Sequence, residues 1–208
     1  MTKITPNRLY YVYDPMCSWC WGYKPVWDKI QQALRDKIDI QFLVGGLAPD
    51  SDVAMPQEMQ QQIAAYWKKI ENYLGTPFNY DFWIQNVPRR STYPACRAVL
   101  AARQQGAELA MLESIQRAYY LEARNPSDSD VLIELAQQAG LNQQQFVVDY
   151  GSAEIDQMLK QEIAFARSIG GNSFPSLFVE TAHGIVELQV DYQSAQNTIG
   201  QIEQLIDE

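Results

Sequence analysis

The sequence predicts an α/β fold interrupted by a long all-helical insertion. Three stretches point there: a strand–helix–strand unit at the start, roughly a hundred residues of helical pattern without a strand, and a helix–strand–strand–helix run at the end.

The opening strand is Arg8-Leu9-Tyr10-Tyr11-Val12-Tyr13, rich in the aromatic and β-branched residues that suit a pleated surface. A helix reads from about Trp21 to about Arg35, then a strand Ile38–Val44 closed by Gly45-Gly46. Such a unit sets its two strands parallel through a right-handed crossover. Pro25 removes a backbone donor inside the helix and predicts a kink there.

From Met55 to about Gly151 only helical spacing recurs. Ile63, Tyr66, Trp67, Ile70 and Leu74 form one apolar stripe, ended by Gly75 and Pro77. Helices follow over Pro94–Gln105, with proline suited to the first turn, over Glu108–Ala123 and over Asp130–Ala139. Asn142 with Gln145 three residues on forms a capping box for a short helix. The α/β pattern then resumes: a helix capped by Ser152 and ended by Gly170-Gly171, strands Ser176–Glu180 and Ile185–Val190 joined as a hairpin through Ala182-His183-Gly184, and a helix Gln193–Ile206. Residues 1–50 and 151–208 therefore read as one domain, and 51–150 as an inserted helical domain.

Composition narrows the function. Apolar residues make up 47% of the 208 and charged residues 20%, an ordinary globular balance. The formal net charge of −9 argues against nucleic acid and against an anionic membrane surface. The N-terminus Met1–Arg8 has no apolar segment, and no apolar run approaches membrane-spanning length, so the expected location is cytoplasmic.

Three cysteines do not make a secreted disulfide scaffold; in a reducing compartment a Cys-x-x-Cys points to redox chemistry. Cys17-Ser18-Trp19-Cys20 sits where a strand hands over to a helix, and unpartnered amides at a helix N-terminus stabilise a thiolate. Cys17 is placed to attack, and Cys20, one turn further along the same face, to resolve. A pair of buried structural cysteines is the weaker alternative to redox chemistry. Half a zinc site is weaker still, because only Cys96 and His183 remain as further Cys or His ligands.

Three segments, Asp14-Pro15-Met16-Cys17-Ser18-Trp19-Cys20-Trp21-Gly22, Ser91-Thr92-Tyr93-Pro94-Ala95-Cys96-Arg97-Ala98 and Ser173-Phe174-Pro175-Ser176-Leu177, resemble the DsbA family of thioredoxin-like proteins, its FrnE-like disulfide isomerase branch more than periplasmic DsbA. The resemblance implies a thioredoxin fold with an inserted helical domain. It gives Cys17 as nucleophile, Cys20 as resolving cysteine, and Pro175 as a cis-proline close to them. It further implies that Phe174 offers its backbone to an extended substrate, with Ser18 and Trp19 also at the substrate site. The implied activity is thiol–disulfide exchange of the reductase or isomerase type on protein or peptide thiols and disulfides. No metal or bound cofactor is implied; small thiols such as glutathione are possible redox partners. DsbA has a histidine between its cysteines where this chain has Ser18-Trp19, so the couple is expected toward the reducing end. Two rivals share the pattern. Glutathione-dependent kappa-class transferases and 2-hydroxychromene-2-carboxylate isomerases resemble the same fold but use a serine at the helix start and need no second cysteine. A chaperone-like binding module would use an aromatic rim, Trp19 and Trp21, without turnover.

Other residues receive plainer expectations. Asp14 turns the end of the strand or relays the proton of the resolving thiol. Cys96 is a small buried residue, or a third redox position. His183 occupies a surface turn, and Lys68, Lys69, Arg89 and Arg90 are solvated faces rather than an anion site.

Overall fold

The computed structural model describes residues 7–207. Met1–Pro6, most of the N-terminal segment read above for an apolar leader, and Glu208 lie outside the described residues. Strands β1 (Arg8–Tyr13), β2 (Asp39–Val44), β3 (Ser176–Thr181) and β4 (Gly184–Leu188) form one sheet in the order β2-β1-β3-β4. β1 and β2 are parallel, with Tyr11 opposite Phe42, across the helix α1 (Ser18–Leu34). β3 runs antiparallel to β1, with Leu177 opposite Tyr11, and pairs with β4 in the expected hairpin. α1 continues through Pro25 to Leu34.

The period-2 alternation of β1 divides the core. Leu9, Tyr11 and Tyr13 point into the larger apolar cluster, where the Tyr11 ring stacks on Trp27 of α1 at 4.0 Å between centroids. Tyr10 and Val12 point to the other face and pack with Leu43, Phe178 and Ala166. Ala166 belongs to α8 (Ala153–Ser168), which covers that side; α9 (Ala195–Asp207) joins α1 on the first side through Ile199 and Ile202.

Between β2 and α8 the chain is helical: α2 (Gln57–Leu74), α3 (Phe82–Gln85), α4 (Tyr93–Arg103), α5 (Glu108–Tyr120), α6 (Ser129–Gln138) and α7 (Gln143–Tyr150). An isolated bridge between Ala54 and Arg89 is the extended pairing described in this stretch. Trp67 of α2 is fully buried among Phe78, Phe82, Trp83, Tyr119 and Tyr120, and Trp21 of α1 stacks on Tyr120 at 5.5 Å. The larger apolar cluster thus runs without interruption from the sheet into the inserted helices.

Several boundaries differ from the sequence reading. α1 begins at Ser18, not near Trp21, because Cys17 itself is the N-cap: its backbone is extended, and its carbonyl accepts the Trp21 N–H at 3.1 Å. α5 stops at Tyr120, and Ala123 takes the left-handed φ of 54° that a continuing helix excludes. Asn142 caps α7 through the Gln145 N–H at 3.0 Å, but the Gln145 side chain turns to Asp149 and leaves the box half made. Ser152 caps α8 through the Ile155 N–H at 3.1 Å. Tyr66, placed on an apolar stripe, is 44% exposed.

Candidate functional site

The turn from β1 into α1 is built on Asp14. Its backbone carbonyl accepts the Cys17 N–H at 3.0 Å, and its Oδ1 accepts the Met16 N–H at 2.8 Å, so the strand end is locked into the turn that delivers Cys17 to the helix. This is the turning role expected of Asp14, and the structure adds a wider one. Oδ2 accepts the Leu47 N–H at 2.7 Å and the Thr92 hydroxyl at 2.7 Å, with the Cys96 thiol at 3.5 Å. One carboxylate therefore ties the turn to the segment after β2 and to the start of α4. Burial raises its pKa above the ordinary aspartate value against the opposing pull of these donors.

Cys17 lies at the floor of a groove of about 570 Å³, which Ser18, Trp19 and Phe174 also line. Its thiol donates to the Phe174 carbonyl at 3.4 Å, and the Phe174–Pro175 peptide is cis, as the family resemblance implies. Phe174 is held in place from behind. The Gly45 backbone lies against its ring so closely that an added Cβ would stand 1.9 Å from Cε1. The Arg167 guanidinium sits 5.3 Å from the ring centroid and donates to the carbonyls of Gly45 and Gly171.

Cys20 lies beneath, 1% exposed against 7% for Cys17, and both are free thiols. Burial, then the neighbouring Cys17 sulfur, push the Cys20 thiol well above its ordinary value. A groove-lining cysteine next to a more deeply buried one is the order that sequential attack and resolution need.

The structure brings Cys17, Ser18, Trp19 and Phe174 around one groove, with Pro175 buried behind it. Of the expected aromatic rim only Trp19 faces the groove; Trp21 is turned onto Tyr120 and donates its indole N–H to the Pro77 carbonyl at 3.1 Å. Cys96 is fully buried, and burial followed by the Asp14 charge pushes its thiol well up. His183 is exposed in the β3–β4 turn. Of the four cations read as solvated faces, Lys68 pairs with Glu71 and Arg89 with Asp128, whereas Arg90 lines the groove. The contribution of α2 through Met59, Ile63 and Tyr66 was hidden in an ordinary amphipathic stripe. Among the described residues no group of three or more His, Cys, Asp or Glu is disposed to hold a metal ion, and no helix is long and apolar enough to cross a membrane.

A dithiol at the N-terminus of the first helix, facing the loop before β3 on a four-stranded mixed sheet, defines a thioredoxin-fold protein of DsbA-like type. The chain belongs to the thioredoxin family, whose model matches residues 10–194. It is 27% identical over 180 residues to the ClpXP adapter protein SpxH of Halalkalibacterium halodurans and 28% identical over 183 residues to that of Bacillus subtilis, covering 84% and 86% of this chain. It spans only 58% and 60% of the length of those relatives. Among solved structures it is similar to a candidate protein disulfide isomerase of Nitrosomonas europaea, with a TM-score of 0.81, 26% identity, and 98% and 97% of the two chains covered. It is also similar to the cytosolic disulfide reductase DsbM of Pseudomonas aeruginosa, with a TM-score of 0.74, 25% identity, and 95% and 94% covered.

Proposed function

We propose that this protein is a thiol–disulfide oxidoreductase of the disulfide reductase or isomerase type, acting through Cys17 and Cys20. The observation that carries the reading is the pair itself: Cys17 opens to a groove, Cys20 is shielded under it, and the Phe174 carbonyl stands 3.4 Å from the Cys17 sulfur. The Cys17 thiolate attacks a substrate disulfide, one half of the substrate leaves as a thiol, and a mixed disulfide forms. Cys20 then attacks the Cys17 sulfur, releases the second half, and closes the Cys17–Cys20 disulfide. Small thiols such as glutathione return the pair to the dithiol. Ser18, Trp19 and Phe174 form the surface on which a protein or peptide substrate lies, and the buried Pro175 contributes from behind by setting the Phe174 carbonyl. A cytoplasmic location belongs to this reading and is supported by the likeness to a reductase described as cytosolic.

The test is insulin reduction with glutathione as electron donor. Wild type turns over, Cys17→Ser does not, and Cys20→Ser accumulates a mixed disulfide through Cys17. Equal turnover by Cys17→Ser would overturn the assignment. A second reading is favoured by the naming of the sequence relatives as ClpXP adapters: the same groove binds a protein partner without turnover. That reading is distinguished by partner binding that survives in Cys17→Ser while insulin reduction is absent from wild type.

A further inference from the structure

The groove beside Cys17 has a charge opposite to that of the chain. The sequence carries 25 acidic residues against 16 basic ones, yet none of the groove-lining residues is Asp or Glu, and one of them is Arg90. Arg90 is exposed and, unlike neighbouring Arg89, has no ion-pair partner among the described residues. Two more cations stand over lining side chains: Lys69 Nζ lies 5.9 Å from the Trp19 ring centroid and the Arg167 guanidinium 5.3 Å from that of Phe174. Arg167 is occupied by backbone carbonyls and Lys69 carries a point charge rather than a planar fork, so the planar donor fork left over is that of Arg90. Asp14, on the turn that leads into Cys17, is fully buried and engaged by its own donors. A guanidinium without an ion-pair partner that lines the same groove as Cys17, with no carboxylate among the lining residues, fits a ligand that brings its own carboxylates.

We propose that this groove selects small thiols and disulfides bearing carboxylates, those of the glutathione class, and that Arg90 is the residue that reads their charge. The inference rests on the thiol–disulfide reading above and names the redox partner of the same site. With glutathione disulfide the balance is complete. The Cys17 thiolate breaks the S–S bond and expels one glutathione thiolate; Cys20 then displaces the second. The two protons of the protein dithiol end on the two released thiols, and two electrons pass from the protein to the disulfide.

The experiment follows oxidation of the reduced protein by three disulfides: glutathione disulfide, neutral hydroxyethyl disulfide and cationic cystamine. The quantity read is the ratio of second-order rate constants for glutathione disulfide over each of the others, in which intrinsic reactivity cancels between wild type and variant. Arg90→Glu should lower both ratios by about tenfold or more, the factor that corresponds to about 1.4 kcal/mol. Arg90→Lys should stay closer to wild type, and the wild-type ratios should fall as salt is added. Ratios unchanged in Arg90→Glu and insensitive to salt would overturn the proposal while leaving Cys17 chemistry intact. Failure of the wild-type dithiol to react with any of the three disulfides would instead overturn the oxidoreductase reading beneath it.

Discussion

Alanine at position 45 would put a methyl group where the ring of Phe174 now stands. The added Cβ would lie 1.9, 2.3 and 2.6 Å from three ring atoms, so the ring must retreat by about 1.5 Å to restore ordinary contact. It cannot do so freely. Arg167 stacks on it while holding the Gly45 carbonyl itself, and the buried Pro175 follows directly in the chain. Over-packing of this kind costs about 1–3 kcal/mol. The displacement also pulls the Phe174 carbonyl off the Cys17 sulfur, and a shift on the order of 1 Å at a reacting centre lowers the rate roughly a hundredfold. Gly45→Ala should therefore lose stability in urea unfolding followed by tryptophan fluorescence, and lose insulin reduction, although both cysteines are untouched. Phe174→Ala removes the clashing ring atoms, so in that background Gly45→Ala should cost less by at least about 1 kcal/mol. The reasoning is refuted if Gly45→Ala matches wild type within about 0.5 kcal/mol at full rate. It is equally refuted if the cost is the same in both backgrounds.

Two further outcomes follow from the burial of the thiols and of Asp14. Brief alkylation of the reduced native protein with iodoacetamide at neutral pH should modify Cys17 well before Cys20 and Cys96, since burial both shields the latter two and raises their pKa values; peptide mass spectrometry reads the order, and equal labelling of Cys17 and Cys20 contradicts it. Because the folded-state pKa of Asp14 is raised, its contribution to stability is full below the unfolded value of about 3.9 and is lost as pH rises through the folded value. Asp14→Asn lacks this titration. The unfolding free energy of wild type minus that of the variant should accordingly fall with rising pH across that window, and a rise would show that the donors around Asp14 outweigh its burial.

The strand–helix–strand opening was legible because local chemistry determines it: an aromatic strand, a dithiol and a helix in immediate succession. The helix start was misplaced because Cys17 caps α1 without a side-chain hydrogen bond, so none of the Ser, Thr, Asp or Asn signatures marks the position. The two-sided burial of β1 follows its alternation once the sheet is known, but the antiparallel partner β3 lies far along the chain, and no local pattern encodes that pairing. The site divides in the same way. Cys17 and Cys20 announce themselves by spacing, whereas the meeting of Asp14 with Leu47 and Thr92, and of Gly45 with Phe174, depends on tertiary contacts between ordinary-looking segments. Arg89 and Arg90 are adjacent and chemically identical, and only the fold sends one to Asp128 and the other to the groove.

The contact between Cys17 and the Phe174 carbonyl spans 157 positions, and this separation matters while the chain is being made. A ribosome releases the dithiol early and the segment opposite it late. The lining residues of α2 and α5, and the β1–β2 pair, can be in place before β3 exists. For most of synthesis the nascent chain therefore presents two cysteines without the wall that later frames them, open to any disulfide-bearing molecule nearby. The side of the groove that carries Arg90 can thus form before the Phe174 wall docks, and a chain truncated before Phe174 would keep the sulfurs and Arg90 while lacking the carbonyl and ring that close the groove opposite Cys17.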